Sequence, residues 1–138
     1  MIKNSLVVIP AFNEEATVKD VITQCAECCD VLVVNDGSTD GTASVASLGE
    51  STVVTNDGNK GYEYSLNVAY IYAVEHKYDV MITMDADGQL PAETLPKFLK
   101  AIEDGASLVS GNRMIKPRVC EKMLAFFAWR LSPLKDPY

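Results

Sequence analysis

A chain of 138 residues with a formal net charge of −7 has room for one domain with a real core. Its composition, 48% hydrophobic and 22% charged, is that of a globular protein, and its acidity argues against a nucleic-acid partner. The first apolar stretch stops at Pro10, too short for a secretory signal, and no run nears the ~20 residues needed to span a bilayer, so the chain is expected to be cytoplasmic.

In chain order, SLVVIP (5–10), VLVVN (31–35), STVVT (51–55) and DVMITM (79–84) are short runs rich in β-branched residues, and ASLVSG (106–111) follows. The first four read as buried parallel strands, apolar on both faces. Helical spacing fills the intervals. EEATVKDVITQC follows the first strand, with Asn13 as its expected N-cap, and TDGTASVASLG follows the second, with Ser38 or Thr39 as cap and Gly49 as stop. YEYSLNVAYIYAVEH and AETLPKFLKAIEDG complete the alternation, the latter started by Pro91 and followed by Gly105. Regular alternation predicts an α/β fold with a mainly parallel sheet and right-handed crossovers.

Charge is uneven along this order. Residues 1–112 carry 17 acids against 6 lysines, while residues 113–138 carry 2 acids against 6 bases, including all three arginines, Arg113, Arg118 and Arg130. An acidic body is thus followed by a basic tail. The tail segment CEKMLAFFAWRLSPLK holds the single Trp129 and two phenylalanines. It reads either as a basic aromatic helix at a membrane interface or as core, with Phe126, Phe127 and Trp129 packed on the sheet or on a second subunit.

Four polar stretches follow strands: PAFNE (10–14), NDGSTDG (35–41), NDGNKG (56–61) and DADGQ (85–89). Open α/β sheets bind ligands at the carboxyl ends of their strands, so these four loops are expected to form one site. Asp85, Asp87 and Gln89 offer oxygen donors alone, a set suited to Mg²⁺ or Mn²⁺ that keeps water and substrate phosphates as further ligands. The plain alternative is an acidic pair that caps the next helix. Asp36 stands at a strand end, where its carboxylate could accept from a base or ribose; equally, Asp36 and Asp40 could organise the turn and cap the helix.

Other chemistries fit less well. Cys25, Cys28, Cys29 and Cys120, with the lone His76, do not make a zinc site, and reduced thiols are expected. No GxxxxGK[ST] loop exists, which excludes a P-loop nucleotidase. DADGQL echoes the nucleophile motif of haloacid-dehalogenase-type phosphatases, but that motif belongs on a first strand and has threonine where Gln89 stands.

The ordered set VVIPAFNEE, VLVVNDGSTDGT, NKGYEYSL, MITMDADGQLPAE, LVSGNR and LKDPY resembles the family 2 glycosyltransferases, and among them the dolichol- and polyprenol-phosphate sugar synthases. That resemblance implies the GT-A fold, a nucleoside-diphosphate sugar donor linked to UDP or GDP, and inverting transfer to a polyprenyl phosphate or a glycan hydroxyl. It implies that Pro10, Phe12, Glu14, Lys60, Gly61 and Ala86 lie against the nucleotide sugar, and that Asp36 meets the base. It puts Asp85 near the ribose or diphosphate and also among the metal ligands, with Asp87 and Gln89. Arg113 of GNR would face the diphosphate or an acceptor phosphate, helped by Arg118, and Asp136 of KDP would stand near the catalytic base, the tail's only other acid being Glu121. A lipid-phosphate acceptor would bring residues 113–138 to the cytoplasmic face of the membrane, and an exposed tail surface would favour a homodimer. Residues 1–112 would form the donor-binding core, and 113–138 would start the acceptor segment. Two departures matter: Glu63 and Ser65 replace small residues of the family's NxGxGxA pattern, and Asn35 replaces the first aspartate of DDGS. Glu63 is expected to close off backbone approach to the donor. Family catalytic domains usually run beyond this length, so a non-catalytic nucleotide-sugar-binding module or partner subunit is the competing reading.

Overall fold

Val7, Val8 and Ile9 have essentially no solvent exposure, because the strand that carries them is covered on both faces. The computed structural model describes residues 4–88, 92–111 and 126–130. Its elements are β1 (Ser5–Ala11), α1 (Val18–Ala26), β2 (Asp30–Asn35), α2 (Thr42–Ser47), β3 (Thr52–Thr55), α3 (Tyr62–Glu75) and β4 (Val80–Thr83). A 3₁₀ turn (Ala92–Thr94), α4 (Leu95–Glu103), β5 (Leu108–Gly111) and β6 (Phe126–Arg130) follow.

The six strands form one sheet in the order β3-β2-β1-β4-β6-β5. β1 pairs in parallel with β2 and β4, and β2 with β3, while β6 runs antiparallel to both β4 and β5. The expected α/β class and mainly parallel sheet are what the chain adopts.

Period-two alternation splits the core between the two faces. Val7, Ile9, Val31, Val33, Val80 and Ile82 point to one face, where Val18, Val21, Ile22 and Cys25 of α1, Ala46 of α2, and Leu95 and Ile102 of α4 cover them. Leu6, Val8, Leu32, Val34 and Met81 point to the other, under Ala69 and Ala73 of α3. Ser65, Ala69 and Ala73 recur every fourth residue, so α3 presents a line of small side chains and seats close to the sheet. Among the described residues, none of the four α-helices has a side-chain N-cap hydrogen bond. A cap contributes about 1 kcal/mol, whereas full burial of one Val, Leu or Ile contributes about 1.5–3 kcal/mol. Packing, not capping, holds these helices.

Local expectations shift accordingly. Asn13 does not cap α1. The helix begins four residues later than the sequence pattern suggests, at Val18, and Asn13 adopts φ 56°, a left-handed conformation that asparagine tolerates better than most residues. Neither Ser38 nor Thr39 caps α2, which starts after Gly41. Residues 126–130 form a strand rather than part of a basic aromatic helix; Phe and Trp favour strands, and β4 and β5 together supply the pairing. The rest of the 113–138 segment lies outside the described residues. Among the described residues, no helix is long and apolar enough to cross a membrane.

Candidate functional site

Because β1 to β4 are parallel, the loops after all four open at one edge, and the candidate residues of the first four motifs gather there. Pro10 and Glu14 are half-buried, Phe12 is 44% exposed, Asp36 is 5% exposed, and Lys60 is open to solvent. A hollow of about 380 Å³ lies instead at the amino edge, between Leu6, Asp30, Glu50, Tyr72 and Tyr78. We place the site at the carboxyl edge, because the hollow has none of the candidate residues in its lining.

Asp36 is the pivot of the edge. Its Oδ1 accepts from Asn56 Nδ2 at 2.7 Å and from the Lys60 backbone N–H at 2.9 Å, and its Oδ2 accepts from the Gly61 N–H at 2.7 Å. Burial alone would raise this carboxyl, but hydrogen bonds from Asn56, Lys60, Gly61 and Ser65 outweigh it and hold the group below the usual carboxylate range. Asn56 also donates to the Ser65 hydroxyl at 3.1 Å, so the serine that replaces a smaller family residue is fully buried and used. Glu63 is exposed. Gly37, at φ 70°, completes the join, for its backbone passes directly against Gly58.

A second weave, with no direct sign in the residue pattern, ties the β1 loop to the β2 loop. Asn13 donates its backbone N–H to Ser38 Oγ at 3.0 Å, and its Oδ1 accepts from the Thr39 N–H at 2.9 Å. Glu14 N–H donates to Thr42 Oγ1 at 2.8 Å, and Glu15 Oε2 accepts from the Gly41 N–H at 2.9 Å. Asp40 accepts from both the backbone N–H and the hydroxyl of Thr42, so it does organise the head of α2, as one sequence reading had it. The bond from Thr17 Oγ1 at 3.0 Å fixes the Glu14 carboxylate. Loops of this kind carry ligand groups well because their backbone donors are already satisfied.

The acidic pair lies beyond β4. The strand ends at Thr83, and Asp85 and Asp87 belong to the loop after it, whose turn spans Ala86 and Asp87. Ala86 is buried against the core, and Gly88 takes φ 69°. Tyr62, the first residue of α3, stands over this loop. Burial, the nearby Asp85 carboxylate and a hydrogen bond with Thr83 act together on its phenol, and the first two prevail and raise it above the ordinary value. Among the described residues no group of three or more His, Cys, Asp or Glu side chains converges as a metal cage. Asp85 and Asp87 are nonetheless hard oxygen donors at the open edge, which fits a cation that takes its other ligands from water and a phosphate. Gln89, Arg113, Arg118, Glu121 and Asp136 lie outside the described residues.

A sheet in this order, with polar loops and an acidic pair at the carboxyl edge of its parallel strands, is that of a GT-A fold. The description glycosyl transferase family 2 matches residues 6–124, and the chain belongs to that family. It is similar to polyprenol monophosphomannose synthase of Mycolicibacterium smegmatis, 31% identical over 124 residues that cover 82% of this chain and 46% of that one. The chain spans about half the length of such relatives. Among solved structures it superposes on glucosyl-3-phosphoglycerate synthase of Mycobacterium tuberculosis in complex with uridine-diphosphate. There the TM-score is 0.72 and identity 19%, covering 92% of this chain and 56% of that one. A second crystal structure of that synthase, with Mn²⁺, UDP-glucose and phosphoglyceric acid, gives a TM-score of 0.64 at 24% identity, covering 76% and 41%.

Proposed function

We propose that this chain binds a nucleoside-diphosphate sugar and contributes the donor half of an inverting transferase that delivers the sugar to a polyprenyl phosphate. The observation that carries the reading is the meeting of the Asp36-held turn and the Asp85–Asp87 loop at one edge of the sheet. Similarity to polyprenol monophosphomannose synthase supports a lipid-phosphate acceptor, and the synthase structure with Mn²⁺ and UDP-glucose supports a metal-assisted donor site.

In this reading Pro10, Phe12 and Glu14 line the nucleotide, with the exposed Phe12 ring as the apolar surface for the base. Asp36 acts on the base through the turn it holds, pressing Lys60 and Gly61 toward the nucleotide. Asp85 and Asp87, joined by Gln89, would hold Mg²⁺ or Mn²⁺, which when bound neutralises charge on the departing diphosphate. Lys60 and Arg113 add cationic neutralisation. A polyprenyl phosphate has a second pKa near 6 and is already nucleophilic at pH 7, so it needs positioning cations more than a base, and the basic segment 113–138 supplies them. A glycan hydroxyl would instead require Asp136 as base. Residues 1–112 thus carry the donor, and 113–138 begin the acceptor side at the cytoplasmic face of the membrane, where a second copy of the chain could also pack.

Calorimetric titration of UDP and GDP, with and without Mn²⁺, into the wild-type chain and Asp87→Ala tests the reading. Metal-dependent binding of one nucleotide that Asp87→Ala abolishes is expected. No binding of either nucleotide under any condition would overturn it. Binding without sugar transfer to a polyprenyl phosphate would favour the non-catalytic module.

A further inference from the structure

Helix α3 buries its small side chains and exposes its large ones. Ser65, Ala69 and Ala73 are buried against the sheet, while Tyr64, Tyr70, Ile71 and Val74 are 44–50% exposed. Eight large apolar or aromatic side chains are exposed among the described residues, and five of them, counting Tyr62, sit on this one helix. At about 100° per residue, Tyr64, Asn67, Ile71 and Val74 form a stripe opposite the seated face, with Tyr70 on its flank. Between Glu63 and Glu75 the helix carries no charge, although a water-facing helix ordinarily puts its charges on the outer side. The charges stand only at the ends. Glu63 lies in the first turn, Glu75 is the last helical residue, and Lys77 follows just beyond, all three exposed.

We infer that the outer face of α3 docks a second copy of this chain, the two α3 helices packing antiparallel about a two-fold axis near Tyr70 and Ile71. Charge complementarity selects that occupant. A register in which Asn67 faces Val74 of the second copy, and Tyr70 faces its Ile71, brings Glu63 and Tyr64 beside its Lys77. Two-fold symmetry repeats the pair at the other end. The apolar middle meets itself, and an acid meets a base at each end. Parallel pairing would set Glu63 against Glu63 and Lys77 against Lys77. A membrane surface fits poorly, because helices that lie on anionic lipid are rich in Lys and Arg on the polar side. Here the flanks hold Glu63 and Glu75, and residues 1–112 carry 17 acids against 6 lysines. Tyrosine suits a protein contact, since its ring is covered while its hydroxyl stays wet at the rim. One helix face is small beside the roughly 800 Å² per partner of a stable interface, so the pairing is reversible, with a dissociation constant on the order of 10–100 µM. Exposed ion pairs add little affinity. The apolar stripe supplies the attraction, and the end charges set the direction. The contact needs neither a bound nucleotide nor residues 113–138.

Sedimentation equilibrium of the full chain, at concentrations spanning that range, tests the pairing. Wild type is expected to pass from monomer to dimer as concentration rises. Ile71→Glu places a charge beside the axis in both copies and should weaken the dimer by about tenfold or more. Glu63→Lys and Lys77→Glu should each weaken it about fivefold, since either change occurs twice in a symmetric pair. Combined in one chain they exchange the two charges, and the dimer should return to within about twofold of wild type. A wild-type chain that stays monomeric throughout would overturn the docking surface, as would a dimer that Ile71→Glu leaves intact. A double reversal no tighter than the single changes would sink the antiparallel pairing. Ile71 is half exposed, so Ile71→Glu is expected to melt as wild type; should it fail to fold, the charge-reversal series decides alone.

Discussion

The backbone of Gly37 runs so close to Gly58 that a methyl group on Gly37 would stand 2.4 Å from the Gly58 carbonyl carbon. Two turns from different strands are therefore stacked with no room for a side chain, and the neighbouring Asp36 bonds cross the same seam. Gly37→Ala must strain a φ of 70° and push backbone against backbone. A cost of about 2–4 kcal/mol is expected, read as a lower urea midpoint with little change in slope. Gly58→Ala, with a similar φ of 79° but open space around it, should cost only about 1–2 kcal/mol.

Acid sensitivity should trace to Asp36. Its carboxyl binds a proton less readily in the folded chain than in the unfolded one. The stability it adds is complete above the unfolded value of about 3.9. Below that, the unfolded chain takes up a proton that the folded one refuses, and stability drops as pH falls through the folded value. Asp36→Asn should remove this part of the acid limb. It should also cost about 1–3 kcal/mol near neutrality, because a carboxamide cannot accept on both sides from Asn56, Lys60 and Gly61. Denaturant melts at pH 3 and pH 6 check both effects.

Thiol reactivity should separate the three clustered cysteines. Burial, with smaller contributions from Cys29 and Cys28, pushes the Cys25 thiol up to about 12, and burial, with Cys28 and Asp30, pushes Cys29 up to about 11. Cys25 is fully buried, 3.4 Å from the Met84 sulfur, while Cys28 is exposed. Native alkylation at pH 8 followed by peptide mapping should label Cys28 first, Cys29 slowly and Cys25 only after unfolding. Early labelling of Cys25 would contradict the packing of α1.

On the proposed donor-site reading, charge at the head of α3 should tune nucleotide affinity. Glu63 is exposed there, one residue beyond Tyr62, in the first turn of the helix. Glu63→Gln removes one repelling charge from an approaching diphosphate. Affinity for UDP or GDP is expected to rise about two- to fivefold at low salt, and the gain should shrink as ionic strength rises. Titration at two salt concentrations measures it.

Strands β1 to β4 and the helices between them were legible because each rests on a local signal: β-branched runs, apolar spacing, and Gly or Pro at the ends. β6 was not, since FFAWR becomes a strand only when two distant partners flank it, and spacing alone reads it as readily as helix. The acidic pair and Asp36 were visible as carboxylates at strand ends. What Asp36 binds was hidden, because its partners include the backbone N–H groups of Lys60 and Gly61, and a backbone donor has no letter of its own. Asn13 shows the same limit: its position before a helix suggested a cap, and its contacts with Ser38 and Thr39, 25 and 26 residues away, decided otherwise.

The placement of β6 between β4 and β5 sets an order for synthesis. β5 leaves the ribosome before β6, its one partner strand among the described residues, and β4 emerges with one row of backbone groups open. A nascent chain can therefore assemble β1 to β4 early, but it must wait for residue 130 before Val80 gains its antiparallel neighbour and β5 gains a place in the sheet. During that interval the bare flank of β4 is the surface most exposed to mispairing with another nascent copy. Growth of the chain through residues 126–130 thus does more than lengthen the sheet: it seals a flank that everything made before it had left open.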